Sequence, residues 1–454
     1  MKKAFLVLFF FNFFYTSYAQ CWKSVSAAIS YTLALKNDGT LWACGENFYG
    51  QLGDGTTVDR NSLVQVGTAT DWKMVSAGGN YTMAVKNNGT LWAWGYNSGG
   101  ELGDGTTMDR LTPTQIGNAT DWKLVSVTYY ACLAIKNNGT LWAWGRNSDF
   151  GQLGDGTLIN RFTPTQIGTA TDWLKVSAGP AHTVAIKTNG TLWAWGLNAY
   201  GEFGNGNNTN SLVPIQIGTA TNWQEALAGE YHTIALKTNG TIFSTGINSD
   251  GRLGDGTINN RNVLTQIGSD INWQSIGIGK YSSIAVKSNG TLWACGSNIY
   301  GLLGDGTTTE RHVLTQIGTA TNWRFASTGE YHSVALKTDD SLSTWGDNSN
   351  GQLGNGTNTL SLVPINISCP MLNNEEYVNE KLFYLYPNPV NSILNIISNQ
   401  IEINNGTITD LVGKIILNQR NNSREIEVQN LASGVYVIAV TAGEKTFYQK
   451  FVKE

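Results

Sequence analysis

Residues Asn87–Thr107 read NNGTLWAWGYNSGGELGDGTT. An Asn-Gly pair, a tryptophan-rich apolar run and a Gly/Asn loop follow one another, and the phrase returns with small edits in seven copies. Trp22, Trp72, Trp122, Trp173, Trp223, Trp273 and Trp323 open the copies at steps of 50, 50, 51, 50, 50 and 50. The extra residue lies within Ser148-Asp149-Phe150. Gly45, Gly95, Gly145, Gly196, Gly246, Gly296 and Gly346 keep the same beat, each with an Asn two residues later, from Asn47 to Asn348. Such a period marks a chain of stacked supersecondary units.

Copy four shows what each unit becomes. WLKVSAG (173–179) reads as a strand and HTVAIK (182–187) alternates as a second. Asn189-Gly190 favours a type I′ hairpin turn into TLWAWG (191–196), a third strand. A long loop leads to the fourth, VPIQIG (213–218). Four short antiparallel strands repeated seven times close most naturally into a β-propeller. An open stack would call for atypical end units. Copy seven ends SLVPINISCP with no Trp-initiated strand after it, whereas the chain begins with one, Trp22–Ser26. The expected fold is therefore all-β: a seven-bladed β-propeller (20–369) closed by the N-terminal strand, which completes the last sheet, and then a small β-sandwich. Superposing the copies sets Cys21 and Cys369 three positions apart in one turn, which predicts a ring-locking disulfide contributing about 2–5 kcal/mol. Cys44, Cys132 and Cys295 read as packing residues.

HTVAIKTNGTLWAWGLNAYGEFGNG and YTMAVKNNGTLWAWGYNSGGELGDGT resemble the repeat of the regulator of chromosome condensation family, over about Cys21–Cys369. The resemblance implies a seven-bladed propeller. It also raises guanine-nucleotide exchange on a Ran-type GTPase, an activity that an exported chain would have no partner for.

The repeated LGDGT does not look like a chemical site. A phosphate loop needs a Lys-Ser/Thr and a following helix, and a calcium loop needs several oxygens at alternating positions. Six residues after each Asp stands an Arg: Asp54/Arg60, Asp104/Arg110, Asp155/Arg161, Asp255/Arg261 and Asp305/Arg311. Where the Asp is Asn, the Arg is Ser, as in Asn205/Ser211 and Asn355/Ser361. Joint loss is what a direct pair would leave, because either charge alone in a partly buried loop is costly. Five salt bridges are expected to shape these loops. His182, His232 and His332 share one slot with Tyr31, Tyr81, Ala131 and Ser282, which reads as packing. No catalytic or metal-ligating set stands out, so neither an enzyme nor a cofactor is expected. Charged residues are 14% and the net charge is −4, giving no basic surface for nucleic acid.

Strand parity puts the Asn-Gly turns and the blade-to-blade turns on one face. The Gly-x-x-His/Tyr connections and the long Gly-x-Asn loops fall on the other. That second face carries Phe48, Tyr49, Phe150, Tyr200, Tyr231, Tyr281, Tyr300 and Tyr331, where the copies disagree, and it is the candidate binding face. A purely interblade packing role for these rings is the competing expectation.

The two ends concern export. MKKAFLVLFFFNFFYTSYA (1–19) has the charged, apolar and small-residue order of a secretory signal peptide, with an apolar run of about a dozen residues, too short to span a membrane. Residues 370–381 read as a polar linker. In 382–454 the period and the tryptophans vanish. There LFYLYPNPVNSILNI and LASGVYVIAVTAGEKTFYQKFVKE resemble the C-terminal sorting domain of type IX secretion substrates. That resemblance implies handling by the type IX machinery and a secreted or outer-membrane-surface location. The combined expectation is a monomeric, non-catalytic adhesion or binding propeller for a protein or glycan ligand. A secreted inhibitor of an extracellular enzyme and an enzyme on a propeller scaffold are the alternatives.

Overall fold

The computed structural model describes residues 21–369, 383–397, 405–410, 415–419, 424–442 and 445–454. The predicted signal peptide and the linker lie outside the described residues. The chain divides after Pro370 into two compact units.

The first unit is seven four-stranded antiparallel sheets, each made of four consecutive strands. The first strands, Trp22–Ala27, Trp72–Ala77, Trp122–Val127, Trp173–Ala178, Trp223–Ala228, Trp273–Ile278 and Trp323–Thr328, touch one another in order around a ring, and the last touches the first. Trp22–Ala27 does not complete the seventh sheet, as the sequence suggested. It pairs with Tyr31–Lys36 in its own blade, and the seventh sheet is filled by its own four strands. The reason is local. The tryptophan opening each copy lies over the lysine ending that blade's second strand, so blade and repeat share one boundary. Lys36 Nζ lies 5.7 Å from the Trp22 ring and 4.2 Å from the Trp42 ring, as Lys86 lies 4.9 and 4.7 Å from Trp72 and Trp92. The ring closes instead by a Cys21–Cys369 disulfide (S–S 2.02 Å) and by Trp22 N–H donating to Asp340 O (3.2 Å). The latter repeats the Trp72-to-Gly39 bond of an ordinary junction. Cys44, Cys132 and Cys295 are free and buried.

The Asn-Gly hairpin is not type I′. Gly89 has φ +79° but Asn88 has no positive φ, and Gly89 N–H donates to Lys86 O while Lys86 N–H donates to Thr90 O. This is a type I turn with a glycine bulge, the common three-residue loop. A two-residue I′ turn would need positive φ at both centres.

Blade junctions come in two kinds. In blades 2, 3, 4 and 7 the third strand carries Trp94, Trp144, Trp195 or Trp345, and the fourth carries Pro113, Pro164, Pro214 or Pro364. In blades 1, 5 and 6 the same positions hold Cys44/Leu63, Thr245/Leu264 and Cys295/Leu314. At an indole junction the preceding blade's Gly-Asp-Gly loop lies flat on the ring. A Cβ at Gly103 would sit 2.6 Å from Trp144 Nε1, so only glycine fits.

In the second unit, Tyr384–Tyr386, Ile393–Ile397 and Glu425–Glu427 form one sheet. Asn405–Thr409, Ile415–Gln419, Gly434–Ala442 and Lys445–Lys453 form another. Leu394, Ile396 and Ile426 from the first share a core with Ile408, Ile438 and Phe451 from the second, making a small β-sandwich.

Candidate functional site

The long loops are held by an asparagine hub and, in five blades, an ion pair. Asn97 is fully buried. Its Nδ2 donates to Asp104 Oδ1 (3.2 Å), Thr106 O (3.1 Å) and Met108 O (3.1 Å), and its Oδ1 accepts from Leu102 N–H (2.9 Å). Arg110 closes on Asp104 at 2.6 Å. Arg60–Asp54 (2.7 Å), Arg161–Asp155 (2.6 Å), Arg261–Asp255 (2.7 Å) and Arg311–Asp305 (2.6 Å) are built alike. Burial raises each aspartate's pKa, but hydrogen bonds from the following Thr and from the Arg outweigh it and hold the carboxyl below its usual range. In blade 7, Asn355 Oδ1 still accepts from Thr357 and from Asn348, and Ser361 Oγ turns to Val363 O (2.7 Å). The loop motif is architecture.

The histidine slot is also architectural, with a role its variability hid. His182 Nε2 meets Thr233 Oγ1 (2.9 Å), His232 Nε2 meets Ser283 Oγ (3.2 Å) and His332 Nε2 meets Thr32 Oγ1 (2.8 Å), each on the next blade. Tyr31 and Tyr81 hydroxyls reach Tyr81 O (2.5 Å) and Ala131 O (2.7 Å) in the same way. Burial pushes His182 down to about 3 and His332 to about 4, so both are neutral at physiological pH.

The loop face gathers most of the aromatic residues singled out in the sequence. Tyr200, on blade 4's long loop, packs edge-on against Tyr231 of blade 5's short loop (5.6 Å). Tyr300 does the same with Tyr331 of blade 7 (5.6 Å), and Tyr331 lies 6.3 Å from Tyr281. These rings do pack between blades, yet Tyr200 and Tyr300 remain 40% and 46% exposed, so packing leaves a ring surface free. Tyr300 is held at φ +61°, where a non-glycine residue is uncommon. In blades 1, 2, 4 and 7 the residue two positions on accepts the backbone N–H of this position, as Gln51 does for Tyr49 and Glu202 for Tyr200 (both 2.9 Å). Leu302 cannot. Phe48 and Tyr49 form a separate pair (4.8 Å) on blade 1, with Tyr49 against Tyr96 of blade 2 (4.9 Å), and Phe150 is half-buried.

At the ring axis, side chains from four blades meet. Lys280 Nζ lies 3.0 Å from Glu330 Oε1 and 3.6 Å from Glu230 Oε1, while Tyr129 of blade 3 donates its hydroxyl across the ring to Glu330 Oε2 (2.6 Å). Lys280 also lies over the Tyr129 and Tyr281 rings (5.7 and 5.1 Å). Arg252, held by Asp250 at 2.7 Å and donating to Lys280 O (2.8 Å), lies over the Tyr281 ring (5.1 Å). Burial raises the pKa of Glu230. Burial does the same to Glu330, but hydrogen bonds from Tyr129, Tyr331 and Lys280 win and lower it. Tyr129 and Arg252 were not singled out in the sequence. The signals were Thr128-Tyr129-Tyr130 where five of the other six copies have a Gly-led connection, and Arg252 in a slot held mostly by Gln or Glu.

A closed ring of seven Trp-led blades, with variable loops on one face and a sandwich module after it, defines a repeat-built propeller carried on a chain with a separate tail. The RCC1-like domain profile matches residues 15–272, more than half of the chain, and RCC1 repeat profiles match 289–336, 325–352 and 339–377. The chain belongs to the RCC1-like family. The secretion system C-terminal sorting domain matches 384–454, so the protein is a type IX secretion substrate delivered to the cell surface or extracellular space. No helix among the described residues is long and apolar enough to cross a membrane. No curated protein sequence matches. Among solved structures, yeast RCC1 (Prp20) in its crystal structure with Kap60 has a TM-score of 0.65 at 18% identity, over 81% of this chain and 87% of that one. Human WBSCR16 has 0.65 at 18%, over 73% and 94%. Prp20p from Saccharomyces cerevisiae, studied for its binding to Gsp1p and histones, has 0.64 at 18%, over 81% and 90%. At such identity these likenesses show the fold alone.

Proposed function

We propose that this secreted propeller is a non-catalytic binding protein whose loop face engages a protein or glycan of another surface. The observation that carries the reading is the aromatic crescent of Tyr200, Tyr231, Tyr281, Tyr300 and Tyr331 around the Lys280–Glu330–Tyr129 centre. Rigid tyrosines with exposed faces lose little conformational entropy on contact and dominate binding surfaces. The closed ring fixes them, so little ordering cost remains at binding. Nucleotide exchange is not carried over, because likeness of fold does not transfer an activity.

One observation favours a hydrolytic reading: Glu230 and Glu330 at the axis have pKa values pushed apart, as an acid/base pair requires. Against it, both Glu330 oxygens are already engaged, Oε1 by Lys280 and Oε2 by Tyr129, so the carboxylate is committed to the axial network. The test is a glycan and surface-protein binding screen with the purified full chain. A Tyr200→Ala/Tyr300→Ala variant should bind its ligand at least about tenfold more weakly, about 1.4 kcal/mol. Unchanged binding by that variant refutes the loop-face assignment. Recovery of one extracellular hydrolase, inhibited by the wild-type chain, would specify the reading as an enzyme inhibitor. Hydrolysis abolished by Glu330→Gln would replace it.

A further inference from the structure

Between blades 5 and 6 a cleft of about 350 Å3 opens among Arg261, Gln266 and Asp270 on one side and Trp273, Trp293 and Leu314 on the other. Two residues set this junction apart from an indole junction. The third strand of blade 6 carries Cys295 where an indole junction has tryptophan. A Cβ at Gly254 would lie 3.0 Å from Cys295 Sγ and 3.6 Å from Leu314 Cγ, a looser fit than glycine on an indole. The second is Asp270. The equivalent Ala69, Ala119, Ala170, Ala220 and Ala320 of the other linkers all pack against a blade core. Asp270 instead leaves the core. Its side chain is 53% exposed and it accepts from Lys287 Nζ at 2.8 Å.

The lining identifies the occupant. Asp255 is paired with Arg261 (2.7 Å) and Asp270 with Lys287 (2.8 Å), so the charges at the cleft cancel. With both pairs made, no net charge is left there to attract a phosphate, carboxylate or ammonium. An uncharged ligand breaks neither pair. The apolar wall is the half-buried indole of Trp293, packed edge-on against the buried Trp273, with the Lys287 ammonium 4.0 and 4.8 Å from the two ring centroids. The rim supplies the oxygens of Gln266 and Thr265, whose own donors go to Gly268 O (3.1 Å) and Val263 O (3.0 Å), and the outer edge of Arg261. A flat C–H face against the Trp293 indole with hydroxyls towards that rim is the chemistry of a neutral pyranose. A cleft of this volume lies at the small end of ligand pockets and takes one sugar ring rather than a chain. We propose that the junction of blades 5 and 6 is a binding site for a neutral monosaccharide unit, separate from the loop face and independent of the reading given to that face.

The test titrates the purified full chain with the methyl glycosides of glucose, galactose and mannose, read by saturation-transfer NMR and tryptophan fluorescence. At least one should bind with Kd of about 1 mM or tighter. Cys295→Trp/Leu314→Pro installs the pair that blades 2, 3, 4 and 7 carry together, filling the cleft with a combination the fold already uses. It should weaken sugar binding at least tenfold. Asp270→Ala, which restores the linker alanine, should weaken it in the same sense and serves if the double variant fails to fold. Tyr200→Ala/Tyr300→Ala should leave it unchanged. The proposal is overturned if no glycoside binds, or if binding survives with the cleft filled. Loss in the tyrosine variant alone would move the sugar to the loop face and overturn it too.

Discussion

In four blades an indole seals the junction to the blade before, and in three a leucine from the outermost strand does so. Trp94 reaches back to donate its Nε1–H to Gln51 O (2.9 Å), as Trp144 does to Glu101 O (3.0 Å). Cys44 and Cys295 offer only thiols at 3.5 Å to Gln352 O and Arg252 O. The outer strand compensates. Wherever the indole is present its blade has proline at the fourth position of that strand, and wherever it is missing the blade has leucine. The leucine returns only part of the volume given up with the indole, and the blade 5–6 junction stays open by a cleft. The exchange also settles the outer edge, since proline has no N–H to offer an incoming strand. Leucine has one, and in blade 5 it is occupied, Leu264 N–H donating to Gly204 O (3.2 Å). The isolated bridges Ser62↔Asn355, Asn205↔Val263 and Asp255↔Val313 fall on blades 1, 5 and 6, those with leucine. Seal and edge protection are therefore one device in two forms.

The comparison can be broken most directly by emptying an indole seal. Trp144→Ala should cost about 3–5 kcal/mol, read as a drop in the denaturation midpoint of the full chain. Leu314→Ala, beside a cleft that is already open, should cost less, about 2–3 kcal/mol. Equal losses would mean that the two seals are equivalent. A sharper experiment converts one into the other. Leu264→Pro alone removes a bonded N–H and a packed leucine and should cost about 2 kcal/mol. Adding Thr245→Trp should recover at least half, a coupling of about 1–3 kcal/mol. Strict additivity would remove the claim that the two positions form one device.

Much of this was legible in the sequence because the repeat supplies its own comparison. The period gave the blade count, strand parity separated the faces, and Asp–Arg pairing was readable because both members change together six residues apart. The tryptophan–proline exchange was printed as openly, but its members stand on different strands. They keep a spacing of 19 residues, 20 in the copy with the extra residue, but a bulge between Ala93 and Gly95 takes them out of direct register, so no strand-pairing rule marks them as partners. The strand that opens the chain was misassigned because a closed ring invites a shared last sheet. The pairing of Trp22–Ala27 with Tyr31–Lys36, under the Trp22–Lys36–Trp42 stack, shows that each copy is whole. The axial network could not be read at all. Tyr129 and Glu330 are 201 residues apart, and ring closure alone brings them within 2.6 Å.

A smaller effect separates the blade 4–5 junction from its neighbours by pH. Glu202 is buried with Oε1 unpartnered, and burial raises its pKa to about 7. Gln51, Gln152 and Gln352 fill the same slot elsewhere. Because the folded pKa lies above the unfolded one, the folded chain holds the extra proton between about pH 4.5 and 7, and stability falls as pH rises through that window. Glu202→Gln should therefore stabilise by about 1–3 kcal/mol above pH 7 and by nothing below pH 4.5. The histidines act oppositely. His182 and His332 have folded pKa values below the unfolded one, so both proteins lose stability as pH falls from about 6.5 towards 4. A difference between wild type and variant that does not grow with pH would exclude Glu202 as the cause.

The smallest effect concerns the loops, where five blades have an ion pair and two have Asn and Ser. Asp104 is nearly buried but Arg110 is 29% exposed, so water screens part of the attraction. A double-mutant cycle with Asp104→Asn and Arg110→Ser, the pair blades 4 and 7 already use, should give a coupling of about 0.5–1 kcal/mol. The double variant should lose less than Asp104→Asn or Arg110→Ser alone, because each single change strands a charge in a loop whose asparagine hub is otherwise intact. The converse change, Asn205→Asp with Ser211→Arg, should gain less than the cycle gives. Ser211 Oγ already holds Val213 O at 2.7 Å, and installing arginine gives that bond up. If the single variants cost no more than the double, the joint replacement of Asp and Arg reflects something other than their contact.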